Sequence, residues 1–219
     1  MAQFEFLKPH SVKGTLRLSD AGRIADHLRK GFLAILPTET GYMLAALATN
    51  VAAVGNAFAV KRRPMANVMH VACSSVAMVE TVGVLTPAAS RLLGELTPGP
   101  VSVIINKTSL LPDSLVSVGG TVGIRVPDNA ATLQVIAETG APLTATSLNS
   151  SGEPPIALTQ DALASLNWPA GELVYVVEDP NAVIFDLPST LVRVTGPEVE
   201  FLRDGAIDRQ RIREIADRT

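Results

Sequence analysis

The 219-residue chain has one cysteine and three histidines, and each shortage argues against a class of site. Cys73 alone closes no internal disulfide, as expected of a chain kept in a reducing compartment. His10, His27 and His70 lie in separate segments, which argues against a zinc site. No apolar run nears the roughly 18 residues that span a bilayer. The N-terminal MAQFEFLKPHSVKG lacks a basic region followed by an apolar block and a cleavage site, so a cytoplasmic protein is expected. A net charge of −3 and a pI near 5.6 leave no overall basic field of the kind that dominates nucleic-acid binding. GxxxxGK(S/T), GxGxxG after a strand and GxSxG are all missing, so a bound nucleotide needs another device and a Ser/His/Asp triad has no support.

What the chain does have is 47% hydrophobic residues and a mean hydropathy of +0.29, enough for a well-buried core. With no repeat, low-complexity stretch or long linker, one α/β domain over 1–219 is expected. Apolar spacing predicts helices over 19–30, capped by Ser19 or Asp20 and stopped by Gly31, and over 50–60, 86–96, 129–139 and 159–166, with a last one from about Asp208. Short apolar runs predict strands at 32–36, 68–73, 101–105, 121–126 and 141–146, then near 172–177, 190–194 and 198–202. Helices and strands alternate at first and strands crowd the end, which predicts a mixed sheet with flanking helices.

Five segments carry candidate chemistry, each with a plainer structural reading beside it. LPTETGYMLAA (36–46) puts Thr38, Glu39, Thr40 and Tyr42 beyond the carboxyl end of a strand, where open α/β sheets bind ligands; it is equally an ordinary strand-to-loop turn. Lys61, Arg62, Arg63 and Pro64 end a helix with cations suited to phosphate oxygens, or simply with cations that suit a helix C-terminus. Arg125, at the end of GIRVP, is either a carboxylate or phosphate clamp or an outward edge residue. In TATSLNSSGEPP (144–155), Ser147 and Asn149 face the same side of an extended backbone, or else serve local turn hydrogen bonds. PSTLVRV with Ser189 and LRDGAI with Arg203 are weak alone.

Taken together and in order, PTETGYMLA, KRRP, PGPVSVII, VGIRVP, TSLNSSGEPP, PSTLVRV and LRDGAI resemble the YrdC-like family of threonylcarbamoyl-AMP synthases, over residues 37–207. The family pattern is roughly PT(D/E)TVYGLG, KxRP, PGP, VGxRxP, TSANxSGEP, PSTVVD and LRxGA. The resemblance implies a single-domain twisted mixed sheet curved around a concave basic cavity, similar to dihydroxybutanone phosphate synthase. It implies an enzyme that takes ATP, with Mg2+, L-threonine and bicarbonate and releases pyrophosphate and a threonylcarbamoyl adenylate. A downstream threonylcarbamoyl transferase then modifies tRNA. By position, Lys61, Arg63, Ser147 and Asn149 match the nucleotide tetrad, Lys61 and Arg63 stabilising the transferred charge. Ser189 and Arg203 complete the nucleotide side, while Thr38, Tyr42 and Arg125 fall where the family handles the amino acid.

The chain departs from the pattern at named places. VYGLG is GYMLA, so Met43 and Ala45 carry side chains where the family has glycine, and a narrowed amino-acid pocket is expected. Leu148 replaces the small residue between Ser147 and Asn149. The histidine that many members carry after KxRP corresponds to Ala72, with His70 two residues earlier, and Arg193 stands in place of an acidic residue. The competing readings are a divergent paralogue that acts on another carbamoyl or acyl adenylate, and a double-stranded RNA-binding translation or ribosome-assembly factor.

Overall fold

The computed structural model describes residues 2–218 except 65, 114, 115, 118, 151, 152 and 183, so Ser151 and Gly152 of the TSLNSSGEPP stretch lie outside the described residues. The strands are β1 (Gln3–Leu7), β2 (Ala34–Thr38), β3 (Gly41–Ala45), β4 (His70–Ala72), β5 (Gly83–Val84), β6 (Val101–Lys107), β7 (Thr121–Arg125), β8 (Leu143–Ser147), β9 (Leu173–Val177), β10 (Thr190–Arg193) and β11 (Glu200–Arg203). The helices are α1 (Leu18–Arg29), α2 (Val51–Lys61), α3 (Val76–Val82), α4 (Pro87–Leu96), α5 (Ala130–Thr139), α6 (Gln160–Ala164) and α7 (Arg209–Ala216). The strands form one mixed sheet in the order β1-β9-β2-β3-β8-β4-β7-β6-β10-β11, with β5 beside β6.

The helix ends follow from local chemistry. Asn50, Ser75, Thr86, Asn129 and Thr159 each accept a backbone N–H with the side chain at a helix start, and Pro87 opens α4 where a missing N–H costs nothing. For α1 the expected Ser19 or Asp20 cap is corrected: Arg17 occupies that position and offers no side-chain acceptor. Gly140 ends α5 in the left-handed region at φ 68°, a conformation that costs glycine little.

Two apolar clusters lie on opposite faces of the sheet. One is built from α2, α3, α4 and α7 against Val71, Val103, Ile105, Ile124 and Val192. The other packs α1 and α5 onto Ala34, Leu36, Met43, Ala45, Leu143, Tyr175 and Val177. Because α1 and α5 sit over the β9-β2-β3-β8 part, the same face of β4, β7, β6 and β10 is left without a helix. That bare face positions the site.

The sequence reading of 36–46 as a strand running into a loop is corrected. Strand β2 runs on through Pro37 and Thr38, turns through Glu39 and Thr40, and returns as β3, with Thr38 paired to Gly41. Gly41 has φ 107°, which a side chain rarely adopts, so glycine here closes the hairpin.

Candidate active site

Cross-strand partners share a face of the sheet, so register fixes what looks into the space no helix fills. Leu191 pairs with Ser102 and with Arg203, Arg125 pairs with Ala72, His70 with Ala145, and Met43 with Ser147. All of these share one face, and there Arg63, His70, Ser102, Arg125, Ser147, Ser189 and Arg203 line a cavity of about 330 Å³, with Thr40 at its edge. Three guanidiniums thus converge with the hydroxyls of Thr40, Ser102, Ser147 and Ser189 and with one imidazole.

Each cation is held by a specific device. Arg203 donates from Nε and Nη2 to the Ser189 carbonyl at 3.1 and 2.8 Å and from Nη2 to the Ser189 hydroxyl at 3.0 Å. Ser102 Oγ is 2.9 Å from Ser189 Oγ. Gly205 makes this approach feasible: a Cβ there would lie 2.3 Å from the Pro188 carbonyl and 2.5 Å from Thr190 N. Arg63 donates to the carbonyls of Asn67 and Val68, at 2.6 and 3.1 Å, which fixes its side chain at the cavity. Arg125 donates to Glu39 Oε1 at 2.7 Å and to the Thr40 hydroxyl at 3.1 Å, while Glu39 Oε2 accepts from the Asp128 amide at 2.9 Å. Glu39 is 2% exposed, so this is a buried ion pair at the cavity wall.

Lys61 enters from the far side of the sheet. Its ammonium donates to the Ser147 carbonyl, to the Asn149 carbonyl at 2.8 Å and to Asn149 Oδ1 at 2.6 Å, which uses all three of its hydrogens. Burial, with Arg63 nearby, lowers it to about 8. Asn149 Oδ1 also accepts from the Ser147 hydroxyl at 2.7 Å, and Asn149 Nδ2 donates to the Glu153 carbonyl. Lys61 and Asn149 therefore shape the strand end that presents Ser147.

Of the residues singled out in the sequence, Arg63, Arg125, Ser147, Ser189 and Arg203 line the cavity together, and Lys61 and Asn149 join through Ser147. Thr38 and Tyr42 are not among its lining residues. Thr38 is buried and its hydroxyl donates to Gly41 O at 2.7 Å inside the hairpin turn. Tyr42 packs against the cluster on the opposite face, where burial raises its phenol, with Glu178 and Asp179 nearby. The expected narrowing by Met43 and Ala45 is corrected: both are buried in the cluster beneath α1 and α5 and do not line the cavity. Leu148 is 2% exposed and points into the opposite cluster, so it anchors the strand rather than crowding Ser147.

Thr40, singled out in LPTETGYMLAA, is in the lining, whereas sequence reasoning missed Ser102 and His70 as cavity residues. The signal for the last was available: His70 and Ala72 are two apart in a strand, so they share a face. Gly123 explains the small residue of VGIRVP, since a Cβ there would lie 2.5 Å from His70 Cδ2. Cys73 is buried on the opposite side, where burial pushes its thiol up to about 12, and it stays unreactive.

Comparison with known proteins places the fold and the family. The Sua5/YciO/YrdC family model, described as "Telomere recombination", matches residues 26–205. A putative threonylcarbamoyl-AMP synthase of Mycobacterium tuberculosis is 29% identical over 189 residues, 86% of this chain and 85% of that protein. The threonylcarbamoyl-AMP synthase of Bacillus subtilis is 30% identical over 193 residues, 86% of this chain and 54% of that longer protein. The fold matches Sua5 of P. abyssi, solved with L-threonine, at TM-score 0.82 and 24% identity, covering 97% of this chain and 60% of that one. It also matches E. coli YciO at TM-score 0.78 and 22% identity, covering 95% and 98%. The chain thus spans little more than half of the Bacillus enzyme and the P. abyssi structure, and nearly all of YciO. With the family model covering most of its length, the chain belongs to the Sua5/YciO/YrdC family.

Proposed function

We propose that the chain is an L-threonylcarbamoyl-AMP synthase, forming the adenylate and pyrophosphate from ATP, L-threonine and bicarbonate. The observation that carries this reading is the convergence of Arg63, Arg125 and Arg203 with Ser147 and Ser189 in one cavity. Guanidiniums there suit the phosphates and the amino-acid carboxylate, and hydroxyls suit the oxygens between them. Arg63, Ser147, Ser189 and Arg203 hold the nucleotide, with Lys61 and Asn149 behind them. Arg125, its plane fixed by Glu39 and Thr40, clamps the carboxylate, and Thr38 and Tyr42 set the hairpin that carries this pair.

The reaction needs no side-chain nucleophile. The amine captures CO2, and a carbamate oxygen attacks the α-phosphorus as pyrophosphate leaves. The protein contributes orientation and charge stabilisation by Arg63 and Lys61. The described lining residues include no carboxylate, and the described residues hold no cluster of three or more His, Cys, Asp or Glu that could seat a metal. Mg2+ is therefore proposed to arrive on the ATP phosphates. The adenylate passes to a transferase acting on tRNA. No helix among the described residues is long and apolar enough to cross a membrane. The proposed place of action is the cytoplasm.

Pyrophosphate release from ATP and Mg2+, with threonine and bicarbonate added singly and together, tests the reading. Release that requires both supports it; ATP turnover indifferent to threonine overturns it. A second reading, a paralogue acting on another adenylate, is prompted by the departures from the family pattern at GYMLA and Leu148. It predicts release with a different amine in place of threonine. Binding of duplex RNA as the main role predicts a steep salt dependence instead.

A further inference from the structure

Carbamate formation has a proton to dispose of, and the cavity shows where it can go. When the amine nitrogen bonds to the CO2 carbon, one C=O electron pair moves onto oxygen and the nitrogen must shed a proton. Among the described lining residues the polar side chains are three guanidiniums, hydroxyls and one imidazole. Guanidinium has no lone pair to offer, and a serine or threonine hydroxyl is a poor base. Glu39, the carboxylate paired with Arg125, has one oxygen on that guanidinium and the other on the Asp128 amide, and it does not line the cavity.

That leaves His70. Its ring lies across the sheet on a seat made for it: Gly123 offers no Cβ beneath, and the directly paired residue is Ala145. Among the described residues no hydrogen bond reaches the ring, so its lone pair is not committed to the protein. The ring faces Arg203, Arg125 and Arg63, and burial with these three cations lowers it to about 4. The imidazole is thus neutral at pH 7 and has an open acceptor nitrogen. The same three cations also disfavour an ammonium beside them and favour the free amine. Once triphosphate and carboxylate neutralise the guanidiniums, the ring becomes a stronger base.

We propose that His70 is a catalytic residue of this chain that accepts the amine proton as the carbamate forms. This rests on the synthase reading. The carbon–nitrogen bond forms, the carbamate anion appears, and the proton passes to a ring nitrogen, so the imidazolium faces the new anion. On product release the proton returns to solvent.

Steady-state pyrophosphate release is compared for the wild type and His70→Gln from pH 6 to 9, with and without added imidazole. The proposal expects kcat to fall by about 10²- to 10⁴-fold, the usual worth of a general base, with KM for ATP within about threefold. It also expects the residual rate to keep rising with pH and to be partly restored by imidazole. An active wild type with His70→Gln within about threefold in kcat overturns it. So does a loss in KM for ATP alone, or a pH-independent loss that imidazole does not relieve. A wild type without threonine-dependent release overturns the synthase reading and this proposal together. Should His70→Gln fail to fold, Gly123→Ala, which displaces the ring with a methyl group, must show the same fall in kcat and the same imidazole response.

Discussion

Glu39→Gln separates the electrostatic work of the cavity wall from its shape. The amide keeps the size and one acceptor oxygen but removes the charge facing Arg125, whose side chain is 10% exposed while that of Glu39 is 2% exposed. Breaking a buried ion pair from one side leaves an uncompensated charge and costs about 3–5 kcal/mol. Here Arg125 also shares its cavity with Arg63 and Arg203, so nothing nearby takes over. For a chain of this length the loss corresponds to a fall in Tm of roughly 6–20 °C. Thermal and urea unfolding with and without pyrophosphate read it. An anion seated among the three guanidiniums supplies the missing charge, so pyrophosphate should raise the Tm of Glu39→Gln more than that of the wild type. Removing both partners, Glu39→Gln with Arg125→Met, should recover part of the stability of the single variant. A loss below about 1 kcal/mol, or equal stabilisation of both proteins by pyrophosphate, would show that Arg125 does not depend on Glu39.

Three further outcomes are expected. Gly205→Ala should cost about 1–3 kcal/mol and raise KM for ATP, because its Cβ would meet backbone at Pro188 and Thr190 that no rotamer relieves; a wild-type melt and KM would count against the role given to LRDG. Arg63→Ala should lower kcat/KM for ATP by at least about 10²-fold with thermal stability within a few degrees, as read by pyrophosphate release and melting. His70 has a folded value of about 4 against 6.5 unfolded, so between those values the unfolded chain binds more protons. Stability should therefore fall as pH drops from about 6.5 toward 4 and then stop falling on this account, by on the order of 3 kcal/mol at full effect; urea midpoints of His70→Gln should lack that slope.

How much of this was legible beforehand depends on which residues speak through spacing and which through pairing. Helices α2, α4 and α5 declare themselves by cap, apolar spacing and stop, because each signal is local to the chain. Strand β3 does not: GYMLA reads as a tail to LPTET until Thr38 is seen opposite Gly41, and a pairing between residues three apart leaves the same composition as a turn. Strand β1, helix α3 and the short β5 were missed for a related reason, since their burial comes from partners far away in sequence. The cavity arginines were legible because an Arg at a strand end or after a helix has few cheap structural uses. Their companions were not. Glu39 in PTET looks like a turn residue, and only the fold places it on Arg125; His70 looks like any strand histidine until Gly123 and Ala145 are found beneath and beside it. Met43 and Leu148 taught the converse, since a departure from a family motif reads as a change in the pocket, yet strand register sends the first beneath α1 and α5 and the second through the sheet. In a sheet enzyme the identity of a residue can be read from the chain, but the face it serves is decided by its partners, and it is the face that distinguishes a core substitution from a change of substrate.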